Sequence, residues 1–100
     1  MIRGTTPTHW FTAPCDPATI AKVNVLYAQD DVLILKKVTA DCKIDGDQIS
    51  TKLTREESLL FNHKKPAQVQ AVIETTGGDV IESVAKNFGV DKLLDDGVIE

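Results

Sequence analysis

The sequence contains little of what several common functions require. It has two cysteines in 100 residues, Cys15 and Cys42, whereas small secreted scaffolds depend on a denser disulfide framework. We therefore expect reduced, at least partly buried thiols, and a Cys15–Cys42 disulfide remains the alternative. No apolar run approaches the roughly 18–20 residues that span a membrane, and no apolar segment of a signal peptide follows Arg3. We expect a protein of the cytoplasm, or of an assembly built there, without membrane contact.

Positive charge is also scarce. The chain has 11 lysines and arginines against 15 aspartates and glutamates, a formal net charge of −4. Nucleic-acid binding needs a basic stripe, but the basic residues form short groups, Lys36 with Lys37 and residues 63–65. We predict no nucleic-acid partner. The composition, 42% apolar and 26% charged, is ordinary for a folded protein, and the length predicts one domain over residues 1–100.

Apolar residues recur at every second position along much of the chain, which is the period of a β-strand. A first strand is predicted over residues 8–12, between Pro7 and Pro14, because proline suits strand ends. Trp10 and Phe11 face opposite sides of this strand, so at most one of them can enter the core fully. Residues 1–6 are expected to form an N-terminal arm.

Two more strands are predicted on either side of a tight turn at Asp30 and Asp31. In the segment AKVNVLYAQ before the turn, alternate apolar residues share one face. The segment VLILKKV after the turn begins as a near-continuous apolar run. Such a run predicts a strand that is buried on both faces at its start.

Two hairpins carry the clearest turn signals. The Asp-Gly-Asp sequence at residues 45–47 predicts a turn because Asp-Gly tolerates positive φ. The returning segment QISTKLT alternates, with Ile49 and Leu53 predicted to face inward and Ser50 outward. A second hairpin is predicted around Gly-Gly-Asp at residues 77–79, between AQVQAVIETT and VIESVAKNF.

One short helical turn is predicted over residues 54–61. Thr54 is the expected N-cap, Glu57 completes a capping box, and the apolar end LLF is expected to close one end of the fold. About seven short strands with one such turn predict an all-β, immunoglobulin-like β-sandwich. Residues 91–100 are expected to extend the last strand, to add a helical turn or to form an acidic C-terminal arm.

The sequence contains no recognisable catalytic or metal-binding pattern. The soft ligands are His9, Cys15, Cys42 and His63, separated by 6, 27 and 21 residues. These separations match no paired zinc spacing. A nucleophilic Cys15 beside a histidine is disfavoured because the adjacent Asp16 carboxylate opposes a thiolate. We predict a non-enzymatic protein without metal or cofactor.

The predicted function therefore depends on the surface and the sheet edges. An open edge strand can pair with another chain, and tryptophan is enriched at interface hot spots. We predict that the opening strand and the C-terminal arm contact other subunits. The predicted interaction residues are Thr5, Thr6, Thr8, Trp10, Phe11, Val90, Leu93 and Leu94.

Several segments also resemble a known family. They are RGTTPTH at residues 3–9, YAQ at 27–29, DC at 41–42, LT-x-E-E at 53–57 and TTGGD at 75–79. Over essentially its whole length the chain resembles small phage and prophage proteins of gram-positive bacteria that are encoded near tail or other virion genes. Its layout is similar to the amino-terminal sandwich domains of phage baseplate proteins.

The resemblance implies a virion structural protein, located in the virion, that forms a homo-oligomer and contacts other virion proteins. It supplies no catalytic residues. The alternative function is a free-standing phage-encoded adaptor or inhibitor that binds a host protein. The acidic pair Asp30 and Asp31 would suit a basic host target of this kind.

Overall fold

The computed structural model describes residues 1–13, 15–82 and 85–91. Within these ranges the chain forms eight β-strands and one turn of α-helix, with two 3-10 turns at Pro17–Thr19 and Thr39–Asp41. The strands are β1 (Thr8–Thr12), β2 (Ile20–Gln29), β3 (Val32–Lys37), β4 (Cys42–Asp45), β5 (Gln48–Lys52), β6 (Ala67–Thr75), β7 (Val80–Glu82) and β8 (Lys86–Phe88), and the helix α1 spans Arg55–Ser58.

The strands form two antiparallel sheets. One has the order β1-β5-β4, and the other has the order β3-β2-β6-β7, with β8 also paired to β6. Immunoglobulin-like sandwiches place strands B, E and D in one sheet and C, F and G in the other, and variable-type domains add C′ beside C. The two orders found here follow that arrangement, and the predicted all-β, immunoglobulin-like sandwich is confirmed. The predicted last strand is present as two strands, β7 and β8.

The core lies between the two sheets. Alternation on β2 buries Val23, Val25 and Tyr27, and alternation on β6 buries Val69, Ala71 and Ile73. The two strands pair directly, with Val25 opposite Ala71 and Tyr27 opposite Val69. The remaining buried apolar residues are Phe11, Ile49, Leu53, Phe61, Ala67 and Val90.

The predicted turns are confirmed, and their backbone angles explain the residues found there. Asp30 and Asp31, between β2 and β3, adopt φ values of 51° and 61°. Aspartate tolerates this left-handed region better than most residues do, because its short side chain can hydrogen-bond locally. Gly46 and Gly78 have φ values of 58° and 88° in the other two hairpins, a conformation that costs glycine little.

The helical turn has the predicted cap. The hydroxyl of Thr54 accepts from the N–H of Glu57 at 3.1 Å, and the Glu57 carboxylate accepts from the N–H of Thr54 at 2.8 Å. The helix is shorter than the predicted range 54–61 and ends at Ser58. Of the apolar residues after it, Phe61 closes the end of the core, whereas Leu60 is 56% exposed.

The first residues of the chain are part of the folded domain. The Arg3 guanidinium donates to the carbonyls of Phe61 and Leu59 at 2.9 and 3.1 Å, and the Gly4 N–H donates to the Ser58 hydroxyl at 3.0 Å. Ile2 forms a parallel bridge with Asp91. The prediction of an N-terminal arm is therefore wrong for residues 1–4. The carbonyl groups at the end of a helix lack partners within the helix, and Arg3 supplies hydrogen-bond donors to the carbonyls of Leu59 and Phe61.

The bridge with Ile2 also holds Asp91, the first residue of the predicted C-terminal arm. Residues 92–100 lie outside the described residues. Among the described helices, none is both long enough and apolar enough to cross a bilayer.

The prediction for the start of β3 is wrong. Val32 and Leu33 are 60% and 57% exposed, although the apolar run predicted burial on both faces. The reason is the position of β3, which lies at the end of the five-stranded sheet and pairs only with β2 among the described strands. An edge strand has one neighbour instead of two, so a purely apolar sequence does not ensure burial there.

Candidate interaction surface

The two faces of β1 differ in exposure. Phe11 points between the sheets and is 2% exposed, whereas its neighbour Trp10 points away from them and is 54% exposed. This outcome follows from the alternation of side chains along a strand. Trp10 therefore presents a large aromatic surface to solvent on the outer face of the three-stranded sheet.

Polar side chains surround Trp10 on that face. Ser50 of β5 lies opposite Trp10 in the register, and Lys43 of β4 lies opposite Ser50 on the other side. A groove of about 270 Å³ runs beside the indole. It is lined by Thr8, Trp10, Asp41, Lys43, Ser50, Thr51 and Lys52. We call these residues the Trp10 face, except Thr51, which pairs with His9 and is buried on the inner side of the sheet.

Ser50 shows that a side chain on the outer face of the sheet can still be covered. It lies on the outer face as predicted, but it is only 6% exposed. Its position between Trp10 and Lys43 in the register accounts for this, because a small side chain is covered by two large cross-strand neighbours. The groove therefore has the indole at one side, a small hydroxyl at its floor and charged side chains around it.

The edge of β1 is partly covered. The backbone groups of Pro7 and Ala13 form hydrogen bonds towards β5 and the turn before it. Backbone groups alternate in direction along a strand, so those of the even-numbered Trp10 point the other way, to the open edge. The Lys86 ammonium donates to the Trp10 carbonyl at 3.2 Å and lies 5.2 Å from the centre of the Phe11 ring. A charged side chain on an edge carbonyl opposes strand addition there.

The inner face of β1 carries a histidine in an aromatic cluster. His9 Nδ1 and the Tyr27 hydroxyl are 2.7 Å apart, and the His9 ring lies 5.1 Å from the ring of Phe88. Burial, followed by the positive charge of the chain's N-terminus, lowers the pKa of His9 below its usual range. Burial also raises the pKa of Tyr27 far above its usual range. Both groups are therefore neutral near pH 7, and their hydrogen bond joins the two sheets.

A second polar contact is an ion pair that involves a buried lysine. The Lys37 ammonium donates to both carboxylate oxygens of Glu57, at 2.7 and 2.9 Å. Burial raises the pKa of Glu57, but the hydrogen bonds from Lys37 and Thr54 outweigh it, so the pKa is lowered overall. This ion pair ties the end of β3 to α1 and satisfies a lysine whose side chain is only 9% exposed. It is a structural contact, because buried charges require partners.

The two cysteines do not form a disulfide. Both are free and half-buried. The Cys42 thiol donates to the carbonyl of Val38 at 3.4 Å, and burial raises its pKa above the usual range, which disfavours the reactive thiolate. Among the described residues, no three histidine, cysteine or acidic side chains are grouped so that they could hold a metal ion.

The predicted interaction residues have different environments. Thr6, Thr8 and Trp10 are exposed, whereas Thr5 is half-buried and its hydroxyl donates to the carbonyl of Ile2 at 2.6 Å. Phe11 and Val90 are core residues at 2% and 5% exposure, so neither is available to a partner, and their assignment as interaction residues is wrong. The remaining two, Leu93 and Leu94, lie outside the described residues.

The exposure of the adjacent pair Val32 and Leu33 was not predicted from the sequence. The signal that could have found them is the charge on either side of the apolar run, because Asp30 and Asp31 precede it and Lys36 follows it. Charged residues at both ends leave an apolar segment of four residues, which an edge strand can accommodate.

No family model matches this sequence, and no curated protein matches it. In a comparison with solved structures the chain is similar to the V domain of amphioxus IgVJ-C2, with 9% sequence identity and a TM-score of 0.39. The similarity covers 93% of this chain and 97% of that chain.

Proposed function

We propose that this chain is a non-enzymatic phage virion structural protein, a small repeated module of a tail, baseplate or capsid. The observation that carries the proposal is the Trp10 face. The tryptophan side chain, among the largest apolar side chains in proteins, is 54% exposed there, on the edge strand of an otherwise polar sheet surface.

The chemistry of this face supports a protein partner. Tryptophan is frequent among the few residues that contribute most of the binding energy of an interface, and such residues are usually surrounded by polar groups that exclude water. Lys43, Lys52 and Asp41 surround the groove in this way. A partner that covers the indole would remove its apolar area from water and keep the charged rim solvated.

The arrangement of β1 decides how the partner binds. Because Lys86 occupies the Trp10 carbonyl at the edge, the proposed contact is made by side chains of the Trp10 face rather than by an added strand. One such contact is weak by itself. Repetition around a symmetric particle multiplies weak contacts, because each later contact forms at high effective concentration.

The virion setting is supported by the resemblance of the sequence to small phage and prophage proteins. The titratable side chains buried in the interior, His9 with Tyr27 and Lys37 with Glu57, are used in structural contacts. These observations favour a structural role over a catalytic one.

The test compares two variants that each remove one exposed apolar side chain. Trp10→Ala changes the Trp10 face, and Val80→Ala changes the 67% exposed side chain of β7. We expect Trp10→Ala to weaken association with virion partners by about thirtyfold or more, the usual effect of a hot-spot residue. Val80→Ala should leave it unchanged. The measurement is the amount of each variant incorporated into purified phage particles.

Unfolding by urea provides the control for folding. Because Trp10 is on the surface, both variants should unfold at nearly the same urea concentration as the unchanged chain. Equal incorporation of Trp10→Ala and the unchanged chain would contradict the proposed contact. Absence of the unchanged chain from purified particles would overturn the virion role and favour the host-binding adaptor. Deletion of residues 1–7 is a poor alternative test, since Arg3 and Gly4 hold α1 in place.

A further inference from the structure

The free edge of β3 differs from the other sheet edges. Val32 and Leu33 are adjacent, and their exposed fractions of 60% and 57% are exceeded only by that of Val80 among the large apolar side chains described. β3 has six residues, four of them apolar and consecutive. A long apolar edge strand readily pairs with another strand.

The other edge strands of the described sheets are shorter than β3, and two of them also carry charge. β7 and β8, at the opposite edge of the same sheet, have only three residues each, although Val80 of β7 is exposed. β4 has four residues, with the charged side chains of Lys43 and Asp45 exposed. The edge of β1 carries Lys86 on its Trp10 carbonyl. Short length and charge both oppose pairing between sheets. The edge of β3 has neither protection over Val32 and Leu33.

The charges at the two ends of β3 have opposite sign. Asp30 and Asp31 lie before the apolar run, and Lys36 and Lys37 lie after it, in the sequence DDVLILKK. Asp30 forms an ion pair with Lys65, and Lys37 forms one with Glu57. Asp31 and Lys36 are exposed, and neither has an ion-pair partner within the part of the chain that the structure describes.

A segment with this charge order is complementary to itself when two copies run antiparallel. The acidic end of one copy then meets the basic end of the other, and this happens twice because a two-fold axis repeats every contact. A parallel arrangement would place like charges together, which is destabilising. The charge pattern therefore selects a second copy of this chain, in one orientation.

We propose that two copies of the chain associate through their β3 edges, antiparallel and about a two-fold axis. With the axis between Leu33 and Ile34, Val32 of each copy lies opposite Leu35 of the other, and Asp31 lies opposite Lys36. The two five-stranded sheets then continue across the axis. A groove of about 200 Å³ beside the edge, lined in part by Leu26, Ala28 and Leu33, lies next to the joint.

The backbone of β3 limits the strength of this joint. Tyr27 and Ala28 of β2 pair with Leu35 and Leu33, so Ile34 is an extra residue between them. A bulge of this kind increases the local twist, and the paired segment is therefore short. The expected association is weak and visible at high protein concentration, which suits a module whose contacts are repeated in an assembly.

Self-association through β3 goes beyond the proposed function, because it does not depend on the Trp10 face. The two surfaces lie on different sheets. A variant of one surface should therefore leave the other unchanged, and failure of one contact can be told apart from failure of the other.

The first experiment measures molar mass by light scattering of the full chain over a wide concentration range. We expect a monomer that becomes a dimer as concentration rises. Lys36→Glu places like charges opposite each other twice, and it should raise the dimer dissociation constant by about tenfold or more. Lys22→Glu makes the same change of net charge at the start of β2 and should have little effect. Added salt should reduce the difference between the two variants.

The second experiment fixes the geometry by cross-linking. Leu33→Cys places a thiol next to the proposed axis, and Val80→Cys places one on β7 at the opposite side of the same sheet. Under oxidation, Leu33→Cys should form a disulfide-linked dimer faster than Val80→Cys or the unchanged chain with its free Cys15 and Cys42. This readout detects the contact even where the dimer is weak.

Three outcomes would overturn the proposal. The first is a monomer at every concentration with no preferential cross-linking of Leu33→Cys. The second is an equal effect of Lys36→Glu and Lys22→Glu on the dimer. The third is a dimer that Trp10→Ala abolishes and Lys36→Glu leaves intact, which would move the joint to the Trp10 face and leave the proposed function standing.

Discussion

β1 and β3 are both edge strands, yet they expose apolar surface in different ways. β1 buries Phe11 and exposes Trp10 on its face, while Lys86 covers part of its edge. β3 exposes Val32 and Leu33, and its edge is open among the described residues. The first strand offers a side chain to a partner, and the second offers a backbone edge flanked by complementary charges. Exposure of apolar residues can therefore serve two kinds of contact in one small sandwich.

The largest expected effect separates the two faces of β1. Phe11→Ala should lower the free energy of unfolding by about 3–5 kcal/mol, because it leaves a cavity between the sheets. Trp10→Ala, one residue away, should change it by less than about 1 kcal/mol, because surface substitutions usually have small effects. Urea unfolding measures both values. Similar losses in the two variants would show that Trp10 is part of the core and not a free contact residue.

An intermediate effect separates the two faces of β3. Leu35 pairs with Tyr27 and is half-buried, whereas Leu33 pairs with Ala28 and is exposed. Leu35→Ala should cost about 1–3 kcal/mol of folding free energy, and Leu33→Ala less than about 0.5 kcal/mol. Urea unfolding at low protein concentration, where a dimer contributes nothing, gives the comparison. A larger loss in Leu33→Ala would contradict the exposed position of that residue.

The smallest expected effect is a pH dependence that originates on the inner face of β1. The pKa of His9 is lowered from its ordinary value of 6.5 in the folded chain, so the unfolded chain binds a proton first as the pH falls. Neutral His9 therefore contributes fully to the free energy of unfolding above pH 6.5, and this contribution is lost as the pH falls below that value.

The measurement is urea unfolding at several pH values between 7 and 5. His9→Gln should flatten the pH dependence in this range, and His63→Gln, which changes an exposed histidine, should leave it as it is. Glu57 contributes its own acid dependence only below its ordinary value of 4.5, which separates the two groups. An unchanged slope in His9→Gln would show that the burial of His9 does not cause the pH dependence.

Much of the fold could be predicted because the signals are local. Alternation located the strands, Asp30 with Asp31 and the two Asp-Gly or Gly-Gly segments located the turns, and Thr54 with Glu57 located the helical cap. The candidate site was predicted only in part. Trp10 was identified because it and Phe11 must point to opposite faces of β1. The burial of Val90 depends on contacts between residues near 90 and the first residues of the chain, and no local sequence pattern predicts such contacts.

Local sequence signals were enough to locate the extended segments, the turns and, along regular strands, the side chains that share a face, because each of these depends on near neighbours. The tertiary structure alone decided which strand lies at an edge, because sheet order depends on pairings between distant segments. That order exposes Val32 and Leu33, which the sequence pattern predicted to be buried. It also covers Ser50 between Trp10 and Lys43, although Ser50 lies on the outer face as predicted. The same apolar run would be buried if it formed a central strand, but in the edge strand β3 its first two residues are exposed.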